Sequence, residues 1–280
     1  FDYSIEYYYD GQIDTTKTEN GNAEYASTIN TYTDKVIEGY KLDKVENNPL
    51  TITIDENANI MKVYYIKDNF DYSIEYYYDG QIDTAKTESG NAEYASTIDT
   101  YTDKVIAGYE FDKVENNPLT ITTDKNANIM KVYYKTITYN LTYVLNEGTL
   151  ENENPSTYKV TTESFTLNNP TRLGYTFTGW TLTKLNGEVQ EEQTPNTALT
   201  IEKGTTGDRE YTANWMANTD TKYTVQHYTE NLDGTYKLEA QTIEAGQTDK
   251  EVTAQANTYE GFTLDLSVEG TKQTGIVTAD

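Results

Sequence analysis

The chain has 280 residues, with 46 acidic against 21 basic side chains and a formal charge of −25. That balance repels nucleic-acid phosphates and anionic lipid surfaces, and no apolar run approaches the roughly 20 residues that span a bilayer, so neither nucleic-acid binding nor direct membrane insertion is expected. The absence of cysteine excludes disulfides and thiolate metal sites, while 27 tyrosines beside few Leu, Phe and Met favour strands and thin cores, in which a ring is buried and its hydroxyl stays wet.

Residues 1–65 and 70–134 are one sequence written twice at a period of 69. They differ at eight positions: Thr16/Ala85, Asn20/Ser89, Asn30/Asp99, Glu38/Ala107, Lys41/Glu110, Leu42/Phe111, Ile54/Thr123 and Glu56/Lys125. Near identity of this kind follows from a recent duplication, so it marks a folding unit and does not single out residues that matter. Within the unit, Tyr3, Ile5 and Tyr7 alternate with Ser4 and Glu6 and run into Asp10-Gly11, which predicts a half-buried strand and a tight turn. Tyr25, Ile29, Tyr32 and Val36 recur at helical spacing and stop before Gly39, which predicts a short helix laid across the sheet, against the poor helix propensity of the interleaved threonines. Leu50, Ile52 and Ile54 alternate, an Asn-rich turn follows, and Met61, Val63 and Tyr65 alternate again, which predicts a second hairpin. Because Ile54 is matched by Thr123, that position is expected at a rim or strand end, outside the central core.

Residues 137–216 follow another pattern: Tyr139, Leu141 and Tyr143 alternate, Asn169-Pro170 marks a turn, GYTFTGW runs from Gly174 to Trp180, and YTANW ends at Trp215. From Tyr223 the first signature returns in degraded form, with Val225, His227 and Tyr228 before Asp233-Gly234, and Gly261, Phe262, Leu264 and Asp265 later echo Gly39, Tyr40, Leu42 and Asp43. This alignment sets 277–280 opposite 52–55 and leaves nothing to match 60–65. Strand 223–229 is therefore expected to keep an unpaired edge, and its module to be the least ordered or to borrow a strand from a neighbouring molecule. Starting at Phe1 in mid-strand and stopping short at Asp280, the chain reads as a monomeric fragment of a larger protein that continues beyond it. The expected organisation is four modules, 1–69, 70–136, 137–218 and 219–280, joined by the short linkers 66–69, 135–136 and 217–221 in an extended rod.

Candidate chemistry is sparse. His227 is the sole histidine and stands where the other copies have Tyr7 and Tyr76, a strand position on the rim of a core, so no catalytic residue is assigned and no cofactor is expected. Asp55, Asn57 and Asn59, with their copies Asp124, Asn126 and Asn128, carry the alternating oxygens of the first half of a calcium loop. Ile60 stands where such a loop needs Gly, and a hairpin turn accounts for the same residues. Trp180 and Trp215 lie inside apolar strand motifs and are assigned to a core, whereas Tyr9 and Tyr78, next to the turn, are the candidates for stacking on a ligand, with cross-strand packing as the competing role.

The repeated unit, with YSIEYYYDG at its start, Gly39-Tyr40 at its centre and IMKVYY at its close, resembles the mucin-binding protein (MucBP-like) repeats of Gram-positive surface proteins over residues 1–135 and 222–280. NPTRLGYTFTGW at 169–180 and YTANW at 211–215 resemble the internalin-type B-repeat, also called the Listeria and Bacteroides repeat, with Asn146-Glu147-Gly148 in place of the usual Gly-Gly turn. Both resemblances imply a mainly β (α+β) fold of small ubiquitin-like β-grasp modules on wall-anchored, extracellular proteins associated with adhesion. They imply no catalytic residue, so the chain is not expected to be an enzyme. The function expected is a cell-surface adhesion array that contacts host mucin, glycoprotein or glycan; the alternative is a structural stalk that binds nothing and sets reach.

Overall fold

Alternation of apolar and polar side chains turns the opening residues into strand β1 (Asp2–Tyr9). In the computed structural model, which describes residues 1–279, Ile5 and Tyr7 are buried on one face of β1 while Glu6 and Tyr8 lie half-buried on the other. The chain turns at Asp10-Gly11 into β2 (Gln12–Ile13) and then β3 (Glu19–Asn22), both antiparallel to β1. After β4 (Thr28–Ile29), β5 (Tyr40–Glu46), β6 (Leu50–Thr51) and a single 3-10 turn, Glu56–Ala58, strand β7 (Ile60–Lys67) enters parallel to β1 with Ile5 opposite Met61 and Tyr7 opposite Val63. The sheet order is β2-β1-β7-β5, with β3 also on β1 and β4 paired to β6 as a separate ribbon. Ile5, Tyr7, Leu50, Ile52, Met61, Val63 and Tyr65 form its core.

Two sequence expectations fail in this unit. Residues 30–38 contain no helix: they run as irregular backbone, with Tyr25 and Val36 65% and 55% exposed, and only Ile29 and Tyr32 of the helical set pack on the core. Threonines at 28, 31 and 33 disfavour a helix, and the sheet offers this backbone other partners. The Tyr7 hydroxyl donates to the Thr33 carbonyl at 2.8 Å, Tyr9 to the Lys35 carbonyl at 2.6 Å, and Tyr65 to the Asp34 carboxylate at 2.6 Å while accepting from the Lys35 amide at 2.8 Å. The second hairpin is also absent, since β6 pairs with β4 and β7 pairs with β1 and β5. The Asn-rich stretch carries the 3-10 turn that leads into β7, and Ile54 just before it is 75% exposed, past the core residue Ile52.

The second repeat reproduces the plan in β8 (Asn69–Tyr78), β9 (Gln81–Ile82), β10 (Glu88–Glu93), β11 (Thr97–Ile98), β12 (Tyr109–Glu115), β13 (Leu119–Thr120) and β14 (Ile129–Thr136). Its order is β10-β8-β14-β12, with β8 and β14 parallel. Both repeats belong to one compact unit, Phe1–Thr136, and a second unit starts at Ile137.

That second unit opens with β15 (Thr138–Val144), β16 (Thr157–Lys159), β17 (Phe165–Thr166), β18 (Tyr175–Leu185), β19 (Glu188–Val189), β20 (Thr200–Ile201) and β21 (Arg209–Ala217). The order β16-β15-β21-β18-β19, with β15 parallel to β21, repeats the first–last parallel pairing in an unrelated sequence. Trp180 is fully buried in this core and Trp215 packs against it, its indole N–H donating to the Leu145 carbonyl at 3.0 Å. Next come β22 (Thr221–Glu230), β23 (Tyr236–Gly246), β24 (Glu251–Thr253) and β25 (Thr274–Ile276), paired as β22-β23 and β24-β25. Val277 is buried and exchanges backbone bonds with Asp249 and Lys250, as Ile52 does with Ala26 and Ser27, which fixes the alignment of this segment with the first repeat. Among the described residues β22 has a strand on one side, where β1, β8 and β15 have strands on both; Asp280, the end of the aligned stretch, lies outside them.

Three sheet tyrosines hold residues 30–38, so the phenols should matter as much as the rings. Tyr65→Phe removes one bond to a carboxylate and one from an amide and is expected to cost about 1–3 kcal/mol in denaturant unfolding, with faster amide exchange over 30–38. Unchanged stability would show that these bonds hold nothing.

Candidate functional site

The outer face of each repeated sheet carries what its inner face does not. Parallel pairing sets Tyr8 beside Tyr64 and Glu6 beside Lys62, and β5 adds Lys44 next to Tyr64 and Glu46 next to Lys62. The Tyr8 and Tyr64 rings stack with centroids 4.9 Å apart at 24°. Tyr8 donates to Glu6 at 2.6 Å and Tyr64 to Glu46 at 3.1 Å, while the Lys44 ammonium reaches Glu46 at 2.6 Å and sits 4.7 Å from the Tyr64 ring centroid. The second repeat rebuilds the group: Tyr77 and Tyr133 stack at 4.9 Å, Tyr77 donates to Glu75 at 2.6 Å, Tyr133 donates to Glu115 at 2.9 Å, and Lys113 reaches Glu115 at 2.5 Å. In the fourth segment Tyr228 donates to Gln226 at 3.0 Å in the manner of Tyr8 and Glu6.

These groups tune one another. The bond to Glu6, helped by partial burial, pushes the Tyr8 phenol up to about 12, and Glu75 does the same for Tyr77. Lys44 and Lys113 hold Glu46 and Glu115 below the usual carboxylate range, and each ammonium is raised in turn. The result is a strip of half-exposed aromatic carbon bordered by fixed acceptors and donors, with no nucleophile–base pair in it. Such a surface suits a polyhydroxyl ligand, which offers C–H faces to rings and hydroxyls to carboxylates and ammonium groups.

The tyrosines singled out from sequence lie on the other face. Tyr9 stacks on Tyr65 at 5.1 Å, meets Tyr40 edge-on at 5.6 Å, and has Lys17 5.2 Å from its centroid. Tyr78 is buried, stacked on Tyr134 at 5.1 Å, with its hydroxyl donating to the Lys104 carbonyl at 2.6 Å. Neither ring offers an open face. The alternation of β1 continues through Tyr9 instead of stopping at Tyr7, so the outward tyrosine is Tyr8; strict period-2 counting through the YYY run was the available signal.

Four of the six side chains in the Asp-Asn-Asn stretches, Asp55, Asn59, Asp124 and Asn128, are also committed internally. Asp55 caps the 3-10 turn by accepting from the Asn57 amide at 3.1 Å, and Asp124 accepts from Asn126 at 2.9 Å. Asn59 is fully buried, its amide oxygen accepting from the Thr53 amide at 2.8 Å and its nitrogen donating to the carbonyls of Asp2 and Thr53; Asn128 repeats this with Thr122 and Asp71. The side-chain oxygens of Asp55, Asn59, Asp124 and Asn128 thus brace the backbone of the turn. His227 has a ring nitrogen 2.9 Å from the Gln255 carbonyl, a structural contact.

Residues 139–206 match the Listeria-Bacteroides repeat domain. Among solved structures, the type 2 repeat of the mucus binding protein MUB from Lactobacillus reuteri is similar over 49% of this chain and 99% of that one, at 13% identity and a TM-score of 0.21. No curated protein matches the chain.

The raised phenols give a pH signature. A tyrosine whose folded pKa exceeds its unfolded value near 10 stabilises the fold fully below about pH 10, and that contribution is lost as pH rises through the folded value. Phenolate absorbance of Tyr8 and Tyr77 is expected to appear near pH 12. Stability should decline above about pH 10, and Glu6→Gln with Glu75→Gln should bring the Tyr8 and Tyr77 phenolate transitions down and make that decline smaller.

Proposed function

We propose that the chain is a non-catalytic set of bacterial cell-surface modules whose duplicated Tyr–Glu–Lys strips bind neutral glycan chains of a host mucin-type glycoprotein. The observation that carries this reading is the strip itself, in which stacked, half-exposed tyrosines outside both cores are bordered by carboxylates and ammonium groups held in place. A formal charge of −25 disfavours sialylated or sulfated chains at long range, which turns the reading towards uncharged sugars. Weak single contacts suit this use, because two strips on one chain raise apparent affinity when a ligand spans both. The match of residues 139–206 to a repeat domain supports an array, and the internal commitments of the sole histidine and of the Asp-Asn-Asn loops support a role without chemistry. An extracellular, wall-associated location goes with this function.

One observation favours the rival stalk: the two repeats are joined by backbone hydrogen bonds, as a spacer that must hold its shape would need. Mucin binding and a glycan array with the whole chain separate the readings. Tyr8→Ala with Tyr77→Ala is expected to lower apparent affinity by about tenfold or more, and either change alone to have a smaller effect. Absence of any binding by the unaltered chain at low and moderate salt would leave the stalk.

A further inference from the structure

Three of the eight positions at which the repeats differ gather where the first repeat meets the second: Glu38, Lys41 and Thr123. Gly39, at φ 81°, offers its carbonyl to the Asp68 amide at 2.8 Å, and the Asp68 carbonyl accepts from the Tyr94 amide at 2.9 Å. Tyr94 lies directly over Gly39, where a Cβ would come within 2.2 Å of the ring, and its edge contacts reach Tyr40 and Phe70, each at 6.3 Å. Lys41 pairs with Asp68 at 2.7 Å, and Thr123 donates to Glu38 at 2.8 Å across the junction.

The second unit contains the same joint in different residues. Asn218 donates its amide to the Gly174 carbonyl at 2.9 Å and accepts from the Thr248 amide at 2.9 Å. Gly174 has φ 76°, and Asp249 after Thr248 has φ 61°, as Ala95 after Tyr94 has φ 60°. A Gly-Tyr corner, one polar linker residue, and a receiving residue that precedes a left-handed turn therefore make up a coupling used twice.

The first repeat carries a third receiving half. Tyr25 copies Tyr94, Ala26 at φ 63° copies Ala95, Phe1 copies Phe70 and meets Tyr25 edge-on at 6.2 Å, and Ile54 stands in the place of Thr123. Phe1, Tyr25 and Ile54 are all exposed. We propose that this end of the first repeat is a docking surface for the Gly-Tyr corner of another repeat of the same class, one with Ala rather than Glu before its Gly. The two internal joints define the occupant, since they show which surface this receiving half accepts. The side-chain swap defines the variety: Glu38 faces a threonine hydroxyl, whereas a carboxylate facing the methyls of Ile54 would lose its partner, and the Ala107 type of corner would bury apolar against apolar. The contact is heterologous, so it joins repeats head to tail.

The test extends the whole chain at Phe1 with a copy of 1–65 carrying Glu38→Ala and followed by 66–69, which keeps the Lys41–Asp68 pair, or with the unaltered copy of 1–65 followed by 66–69, and reads amide exchange at Tyr25. Tyr94 in the same molecule reports that the original joint is intact. Exchange at Tyr25 is expected to slow by about tenfold or more with the Ala-type corner and less with the Glu-type corner, and Tyr25→Ser should abolish the apolar contribution. Tyr25 exchanging at one rate with and without the added repeat, while Tyr94 stays protected, would overturn the docking surface; equal protection by both corners would overturn the pairing rule.

Discussion

Each repeat must cover one face of a five-stranded sheet with about 65 residues, and the structure does so without an α-helix. The covering segment is irregular, so its carbonyls and amides cannot satisfy one another along the chain and must find partners elsewhere. They find them in phenols: Tyr7 and Tyr9 from β1 and Tyr65 from β7 pass through the core and bond the backbone or side chains of 33–35. A phenylalanine would fill the same volume and leave those groups unpaired, which is why a chain poor in Phe and rich in Tyr can form so thin a module. The fourth segment shows that the demand is for a ring with a polar tip. His227 stands in the place of Tyr7, and its ring nitrogen meets the Gln255 carbonyl at 2.9 Å in the crossing segment.

The same residue type then serves two faces. In the run Tyr7-Tyr8-Tyr9 the first and third rings enter the core, and the second stands on the outer face beside Tyr64. On the inner face the hydroxyl is used up by backbone; on the outer face it binds a carboxylate that is itself held by lysine. What distinguishes a core tyrosine from a surface one is only its parity in the strand, so a one-residue error in reading the strand exchanges structural and functional roles.

Strands β1 and β7 were legible in the sequence because strict alternation over six or more residues is the mark of a strand with one buried face, and helices and loops do not produce it. The cover over the sheet was not, because the spacing of Tyr25, Ile29, Tyr32 and Val36 arises equally from an irregular segment that touches the core at Ile29 and Tyr32 and leaves its other members in solvent. The Asn-rich stretch looked like a hairpin turn because Asn is a turn residue; its decisive member, Asn59, is instead buried and bridges Thr53 to Asp2, a long-range role with no local signature. Strand β5 was missed because its residues are mostly exposed and charged, and its place is set by pairing with β7. The outer strip depended on that pairing, since Lys44 and Glu46 reach it only from β5.

The joint and the strips are linked through the same sheet. Gly39 and Tyr40 start β5, which carries Lys44 and Glu46 a few residues on, and Asp68 follows β7, which carries Lys62 and Tyr64. Bonds from Asp68 to Gly39 and Tyr94 therefore fix the second repeat to the very strands that build the first strip. For a spacer this holds the angle between successive modules. For a binder it sets the spacing of two identical weak sites before any ligand arrives, so that the second contact is made without the orientational entropy cost that a loose tether would incur. The same fixed angle limits the gain to ligands whose repeat distance fits, and a glycan-decorated polymer with many equivalent branches satisfies that condition more readily than a single rigid epitope does.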